Sequence, residues 1–131
     1  PDLSLRENCL IPAVASGLDS KTANQRFHEL SGQTGLAARR NHRIQDLSGG
    51  ERQRTAICRA LMNSPKVILA DEPTGSLDDK SRELVFQLLL SLVRQDGATL
   101  LMATHDRSLA EQCDRLFVIK EGQLFQPAEV C

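Results

Sequence analysis

The chain contains no tryptophan, no tyrosine and only four phenylalanines among its 131 residues. Proteins that bind single-stranded nucleic acid stack bases on aromatic rings, so the sequence argues against nucleic acid as a partner. Neither sign of charge is in excess. Sixteen basic residues stand against 17 acidic ones, for a formal net charge of -1, which gives no global attraction to a polyanion or an acidic membrane. Long apolar runs are also missing. Leu84 to Leu90 comes nearest and is broken by Gln87, whereas a membrane-spanning helix needs about 20 apolar residues. No signal-peptide pattern is visible. The first residue is Pro1 rather than Met, from which an upstream segment is expected. The four cysteines (Cys9, Cys58, Cys113 and Cys131) form no CxxC pair and have no zinc-site spacing. They read as small buried or terminal thiols of a reducing compartment. His28, His42 and His105 have no metal-ligand spacing either.

What remains is ordinary globular composition, 40% hydrophobic and 25% charged, enough for one domain or a large piece of one. Ser4-Leu5-Arg6-Glu7 has the form of a capping box. A short helix should follow, with Leu5, Cys9, Leu10 and Val14 apolar, kinked or shortened at Pro12 and closed by Gly17. Asp19 or Ser20 caps a second helix, about Lys21 to Leu30, that buries Ala23, Phe27 and Leu30. Gly32 and Gly35 are expected to break it. Leu36 to Asn41 suggests a further helical turn. Arg39, Arg40, His42 and Arg43 form a small basic cluster that reads as a solvated loop.

The centre of the chain is Leu47 to Asp78. Ser48-Gly49-Gly50-Glu51 repeats the Ser-x-x-Glu form with two glycines inside it. It opens a helix to about Met62, with Ile57, Ala60 and Leu61 on the buried face, ended by Asn63-Ser64-Pro65. Val67 to Ala70 is a continuous apolar run of the kind found in buried parallel strands, ending at Asp71-Glu72. Asp78 or Asp79 caps a helix whose apolar stripe is Leu84, Val85, Leu88, Leu89, Leu92 and Val93, closed by Asp96-Gly97. Thr99 to Ala103 reads as a second buried strand, ending in Thr104-His105-Asp106. A short helix should carry Leu109, Ala110 and Cys113. Leu116 to Ile119 reads as a third strand, and Glu121-Gly122 turns it into a hairpin with Gln123-Leu124-Phe125. Alternating strands and helices imply an α/β fold with a parallel sheet and right-handed crossovers, preceded by an all-helical segment.

In such a sheet, sites form at the carboxyl ends of the strands. Asp71 and Glu72 lie at one such end and His105 at the next. Pro73 disfavours helical geometry at Glu72, so Glu72 is expected to stay extended and point off the strand tip. An acid there can hold Mg2+ through water. A second acid can orient or deprotonate an attacking water, and a nearby histidine can donate to a phosphate oxygen. Gly49 and Gly50 leave a helix start bare, with unpaired N–H groups and the positive end of the helix dipole, which suits an anion. Ser48 can either cap that helix or bond a phosphate.

Taken in order, these motifs resemble the ATP-binding cassette (ABC) ATPases. Leu47-Ser48-Gly49-Gly50-Glu51 with Gln53-Arg54 is similar to the family's signature motif, with Glu51 where Gln is commoner. Val67 to Glu72 is similar to the Walker B strand with its catalytic glutamate. Ser76-Leu77-Asp78 is similar to the D-loop, and His105 to the switch histidine. Glu72 to Asp78 and the Glu7-Asn8 region resemble the exporter-like subgroup that works in lipoprotein release, macrolide efflux and cell division. The resemblance implies the carboxyl-terminal half of a P-loop NTPase (RecA-like) sheet at residues 48–131, after part of a helical subdomain at residues 1–47. It implies Asp71 as the Mg2+ residue, Glu72 as the residue that polarises water, and His105 on the γ-phosphate. It further implies Ser48, Gly49, Gly50 and Glu51 at the ATP of an opposite subunit, with Asp78 coupling the two sites. A second ATP-binding subunit and a membrane permease met by the helical part are the implied partners. The cytoplasmic face of a membrane is the implied location.

The family grips phosphates with GxxxxGK[ST], and no such motif occurs here. Gly17-Leu18-Asp19-Ser20-Lys21-Thr22 has Ser20 where the second glycine must be, no strand before it, and reads as a helix cap. The expectation is a carboxyl-terminal part of the domain, inactive towards ATP by itself and prone to self-association through open strand edges and uncovered apolar surface. A non-transport ABC ATPase acting on DNA or the ribosome, and a non-catalytic interaction module, remain alternatives.

Overall fold

The computed structural model describes residues 3–126. Pro1 and Cys131, named above, lie outside the described residues. Helix α1 (Leu5–Ala15) starts at Ser4, whose hydroxyl accepts from the Glu7 N–H while the Glu7 carboxylate accepts from the Ser4 N–H at 2.8 Å. The helix runs through Pro12 for most of a further turn. A proline so near the end removes one N–H donor and leaves the last turn intact. Gly17, at φ +72, turns the chain out of it. Helix α2 (Ser20–Gln33) is capped by Asp19. Gly32 does not break it. It lies inside the last turn, and the turn-out falls at Gly35, at φ +68. A helical glycine only lowers helix preference, by about 1 kcal/mol, whereas positive φ is where glycine is needed. A 3-10 turn at Ala37–Arg39 follows, and a second at Ile44–Asp46 leads into α3 (Gly49–Leu61).

The chain then alternates: β1 (Val67–Asp71), α4 (Asp79–Gln95), β2 (Thr99–Ala103), the single turn α5 (Arg107–Ala110), β3 (Val118–Lys120) and β4 (Gln123–Phe125). β1 and β2 pair in parallel, Val67 opposite Thr99 and Asp71 opposite Ala103. The third strand does not extend this sheet. β3 pairs antiparallel with β4, Val118 opposite Phe125. The tight turn at Glu121 and Gly122, both at positive φ, makes this local pairing cheaper in chain entropy than a return to the sheet. Cys113 lies just past α5 rather than in it.

One continuous cluster of buried side chains joins the helices and the sheet. It runs from Leu5, Cys9 and Ala13 of α1 through Phe27 and Leu30 of α2 and Ile57, Cys58 and Leu61 of α3 to Val85, Leu89, Leu92 and Val93 of α4. The neighbouring Cys58 thiol and burial push the Cys9 thiol pKa up, so Cys9 stays protonated. Arg26 ties α2 to the carboxyl end of α4 through an ion pair with Asp96, and to that of α3 through the Leu61 carbonyl. Two sequence expectations of burial fail. Ala60 and Leu84 are exposed, and it is Phe86, outside the expected stripe, that α4 buries in that turn. A 3.6-residue stripe tolerates a shift of one position at its edges, and packing against neighbouring elements selects the face. β1 buries only Ile68 fully, and Val67 and Leu69 are exposed, as is Leu101 of β2. Among the described residues, the two strands are therefore covered on one face rather than both.

Candidate functional site

Asp71 is the last residue of β1 and its side chain is exposed. The next residue prolongs the pairing by one bond, from the Glu72 N–H to the Ala103 carbonyl at 2.9 Å. Glu72 is not extended. It stands at φ +44, a region non-glycine residues rarely occupy. Pro73 keeps it out of the right-handed helical region, and the chain must turn back at once, closing a bond from the Gly75 N–H to the Glu72 carbonyl at 3.1 Å. Strain of this kind costs about 1–3 kcal/mol and persists where surrounding bonds enforce it.

Those bonds come from the loop after β2. The His105 N–H and its Nδ1 both reach Glu72 Oε1, at 2.7 and 2.8 Å, and the Thr104 hydroxyl donates to Glu72 Oε2 at 3.2 Å. Parallel register brings this about. Asp71 and Ala103 are opposed, so the residues that follow each strand leave the sheet side by side. The His105 side chain holds the Glu72 carboxyl below its ordinary pKa, against a smaller opposing effect of burial. Glu72 is therefore ionised at neutral pH, as an acceptor of protons must be. The His105 ring remains largely open to solvent.

Helix α3 begins against Leu77, in the loop between Glu72 and Asp78. Ser48 is its N-cap, and its hydroxyl accepts from the Glu51 N–H at 3.3 Å. Glu51 Oε2 accepts from the Ser48 N–H at 2.8 Å and Oε1 from Arg39 Nε at 3.0 Å. These bonds, the Ser48 backbone and hydroxyl first and Arg39 after them, hold the Glu51 pKa at about 2. Gly49 and Gly50 occupy the first two helical positions, whose N–H groups have no intrahelical acceptor. Among the described residues nothing demands glycine there. Neither has positive φ, and an added Cβ would meet Leu77 Cδ2 or Arg54 Nη1 at an ordinary 3.6 Å. Their smallness leaves the helix start bare. Asp78 caps α4 by accepting from the Ser81 N–H at 3.0 Å.

The structure thus brings Asp71, Glu72 and His105 to one rim. It keeps Ser48, Gly49, Gly50 and Glu51 on a separate helix start, with Leu77 touching that start from the loop before Asp78. Sequence reading missed Thr104 and Arg39 as partners of the carboxylates. Thr104 sits next to His105 at a strand end, which marks it for the same rim. Arg39 lies 12 residues before Glu51, and no periodicity links them. Among the described residues no group of three or more His, Cys, Asp or Glu side chains could hold a metal ion. A lone strand-tip carboxylate such as Asp71 fits Mg2+, which keeps several waters and takes one or two carboxylates plus substrate phosphates.

A family model described as ABC transporter matches residues 1–75. The lipoprotein-releasing system ATP-binding protein LolD 1 of Rhodospirillum rubrum is 49% identical over 95% of this chain and 55% of its own length. The macrolide export ATP-binding/permease protein MacB of Psychrobacter cryohalolentis is 49% identical over 94% of this chain and 18% of its own. The chain thus spans about half the length of the lipoprotein-releasing relatives. Among solved structures, cbiO1 from Clostridium perfringens, part of the ABC transporter complex cbiONQ, superposes with TM-score 0.86 at 30% identity, over 95% of this chain and 50% of that one. MJ0796, a dimeric bacterial ABC transporter cassette, superposes with TM-score 0.79 at 35% identity, over 97% and 58%. With this family match over residues 1–75, the chain belongs to the ABC transporter family.

Proposed function

We propose that this chain is part of an ATP-hydrolysing subunit that powers transport through a membrane permease. The observation that supports this best is the ionised Glu72 carboxylate, held at the tip of β1 by three donors from Thr104 and His105. Glu72 accepts a proton from the attacking water. His105, whose Nδ1 faces Glu72 at 2.8 Å, turns its exposed ring edge towards a γ-phosphate oxygen, so one side chain stands between base and phosphate. Asp71 would hold Mg2+, which would neutralise charge on the phosphates.

Ser48, Gly49 and Gly50 serve the γ-phosphate of ATP held by a second ATP-binding subunit, with Glu51 ordering that helix start and Asp78 joining the two sites. The dimeric relative MJ0796 supports this arrangement. Residues 1–47 form part of the helical subdomain that meets the permease, and residues 48–131 belong to the ATPase core. The working place is the cytoplasmic face of a membrane, as for the ATP-binding subunits of transporters that the chain resembles. The similarity to LolD and MacB proteins favours the exporter-like subgroup.

The test is ATP hydrolysis by the complete cassette that carries this sequence. Glu72→Gln should lower kcat by roughly 10²-fold or more while ATP binding is retained. Hydrolysis at the parental rate would remove Glu72 from its role.

A further inference from the structure

We propose that Arg82 is a positioning residue for Glu72, acting through Asp106 and Thr104; this rests on the reading of Glu72 as the residue that polarises water. Arg82 lies in the first turn of α4. Its guanidinium makes a fork. Nη2 donates to the Leu77 carbonyl at 3.3 Å and Nη1 to Asp106 Oδ2 at 3.1 Å, across 24 residues of sequence. Both side chains are largely shielded, so the pair is screened less than a surface one. A second partner, Asp79, is 3.3 Å away but almost fully exposed and contributes little.

Asp106 passes the constraint on. Its Oδ1 caps α5 by accepting from the Ser108 N–H and hydroxyl at 3.0 and 2.6 Å. Its own N–H donates to Thr104 Oγ1 at 3.0 Å. A threonine hydroxyl has one proton. Accepting from Asp106 leaves that proton for Glu72 Oε2, at 3.2 Å. Among the described residues, the loop 104–106 carries every side-chain donor to Glu72, and it is tied, through Arg82, to the loop that ends at Leu77. Leu77 in turn touches the start of α3, where a Cβ on Gly49 would lie 3.6 Å from its Cδ2. The lateral position of the His105 N–H over Glu72 is therefore set from α4 as well as from β2.

The readout is hydrogen exchange of the His105 amide in the 131-residue chain, compared with amides buried in α4 such as that of Leu89. Arg82→Gln should speed His105 exchange roughly five-fold or more, the scale of one net hydrogen bond, and leave Leu89 unchanged. Arg82→Lys keeps a charge for Asp106 without the fork and should fall between. Asp106→Asn keeps the Oδ1 cap and removes the Oδ2 acceptor, so it should match Arg82→Gln, and it carries the test if that variant does not fold. Asp79→Asn should match the parent. Parental exchange at His105 in Arg82→Gln or Asp106→Asn would overturn the proposal. So would a rise shared equally by Leu89, which would make Arg82 a stabiliser of α4 only. The measurement needs no nucleotide, so its failure is distinct from failure of the Glu72→Gln hydrolysis test.

Discussion

A single oxygen, Glu72 Oε1, accepts from both the backbone N–H and Nδ1 of His105, at 2.7 and 2.8 Å. The backbone bond does not need the ring. His105→Ala therefore leaves one of these two donors in place and removes the ring proposed to face the phosphate. In the complete cassette it should reduce kcat by roughly 10²-fold with little change in the fold. Steady-state kinetics beside a thermal melt separate the two effects, and a melt lowered as far as a core variant's would contradict them.

Thr104 offers a stability test of the same cluster. Thr104→Val keeps the shape and removes a hydroxyl that bonds Glu72 and the Asp106 N–H. The expected loss is about 1–2 kcal/mol, one or two net hydrogen bonds, read from urea denaturation of the 131-residue chain.

Glu51 carries a pH prediction. Its pKa in the folded chain, about 2, lies below the ordinary glutamate value of 4.5. The bonds to Ser48 and Arg39 therefore add stability above about pH 4.5, which is lost as pH falls towards 2. Glu51→Gln should show a smaller loss of stability than the parent over that window and a lower stability at pH 7. Other caps titrate in the same direction, including Glu7, Asp19, Asp78 and Asp106. Only the difference between parent and variant isolates Glu51.

Two α4 positions, two residues apart, separate face from pattern. Phe86 is fully buried, whereas Leu84 is 64% exposed. Phe86→Ala should cost about 3–5 kcal/mol and Leu84→Ala no more than about 0.5 kcal/mol. Equal losses in denaturant titrations would contradict the packing described.

Leu69 at 75% and Ile119 at 76% exposure, with Leu101 and Leu124 also open, leave apolar surface on both sheets. The 131-residue chain should self-associate at high concentration, and Leu69→Lys should weaken that association. Sedimentation across a concentration series decides it. The same preparation should hydrolyse no ATP, since its sequence has no GxxxxGK[ST] to hold the phosphates, and release of phosphate above background would refute this.

Much of the local architecture was legible in the residues. The capping boxes Ser4–Glu7 and Ser48–Glu51, and the caps Asp19 and Asp78, are bonds between residues three apart, so their chemistry is written in adjacent letters. The hairpin at Glu121-Gly122 is local in the same sense. The placing of Asp71, Glu72 and His105 on one rim also followed from the order of strands, because parallel strands deliver their carboxyl ends to one side. By itself, then, the sequence determined the helix starts, the two paired strands and the identity of the residues on the rim. Tertiary structure alone decided the positive φ of Glu72, the donors that enforce it, the fork of Arg82 and the face that α4 buries. The donors to Glu72 and the Arg82–Asp106 bond join residues 24 to 33 apart, and such contacts, like the face α4 buries, exist only once packing has set strand against strand and helix against sheet.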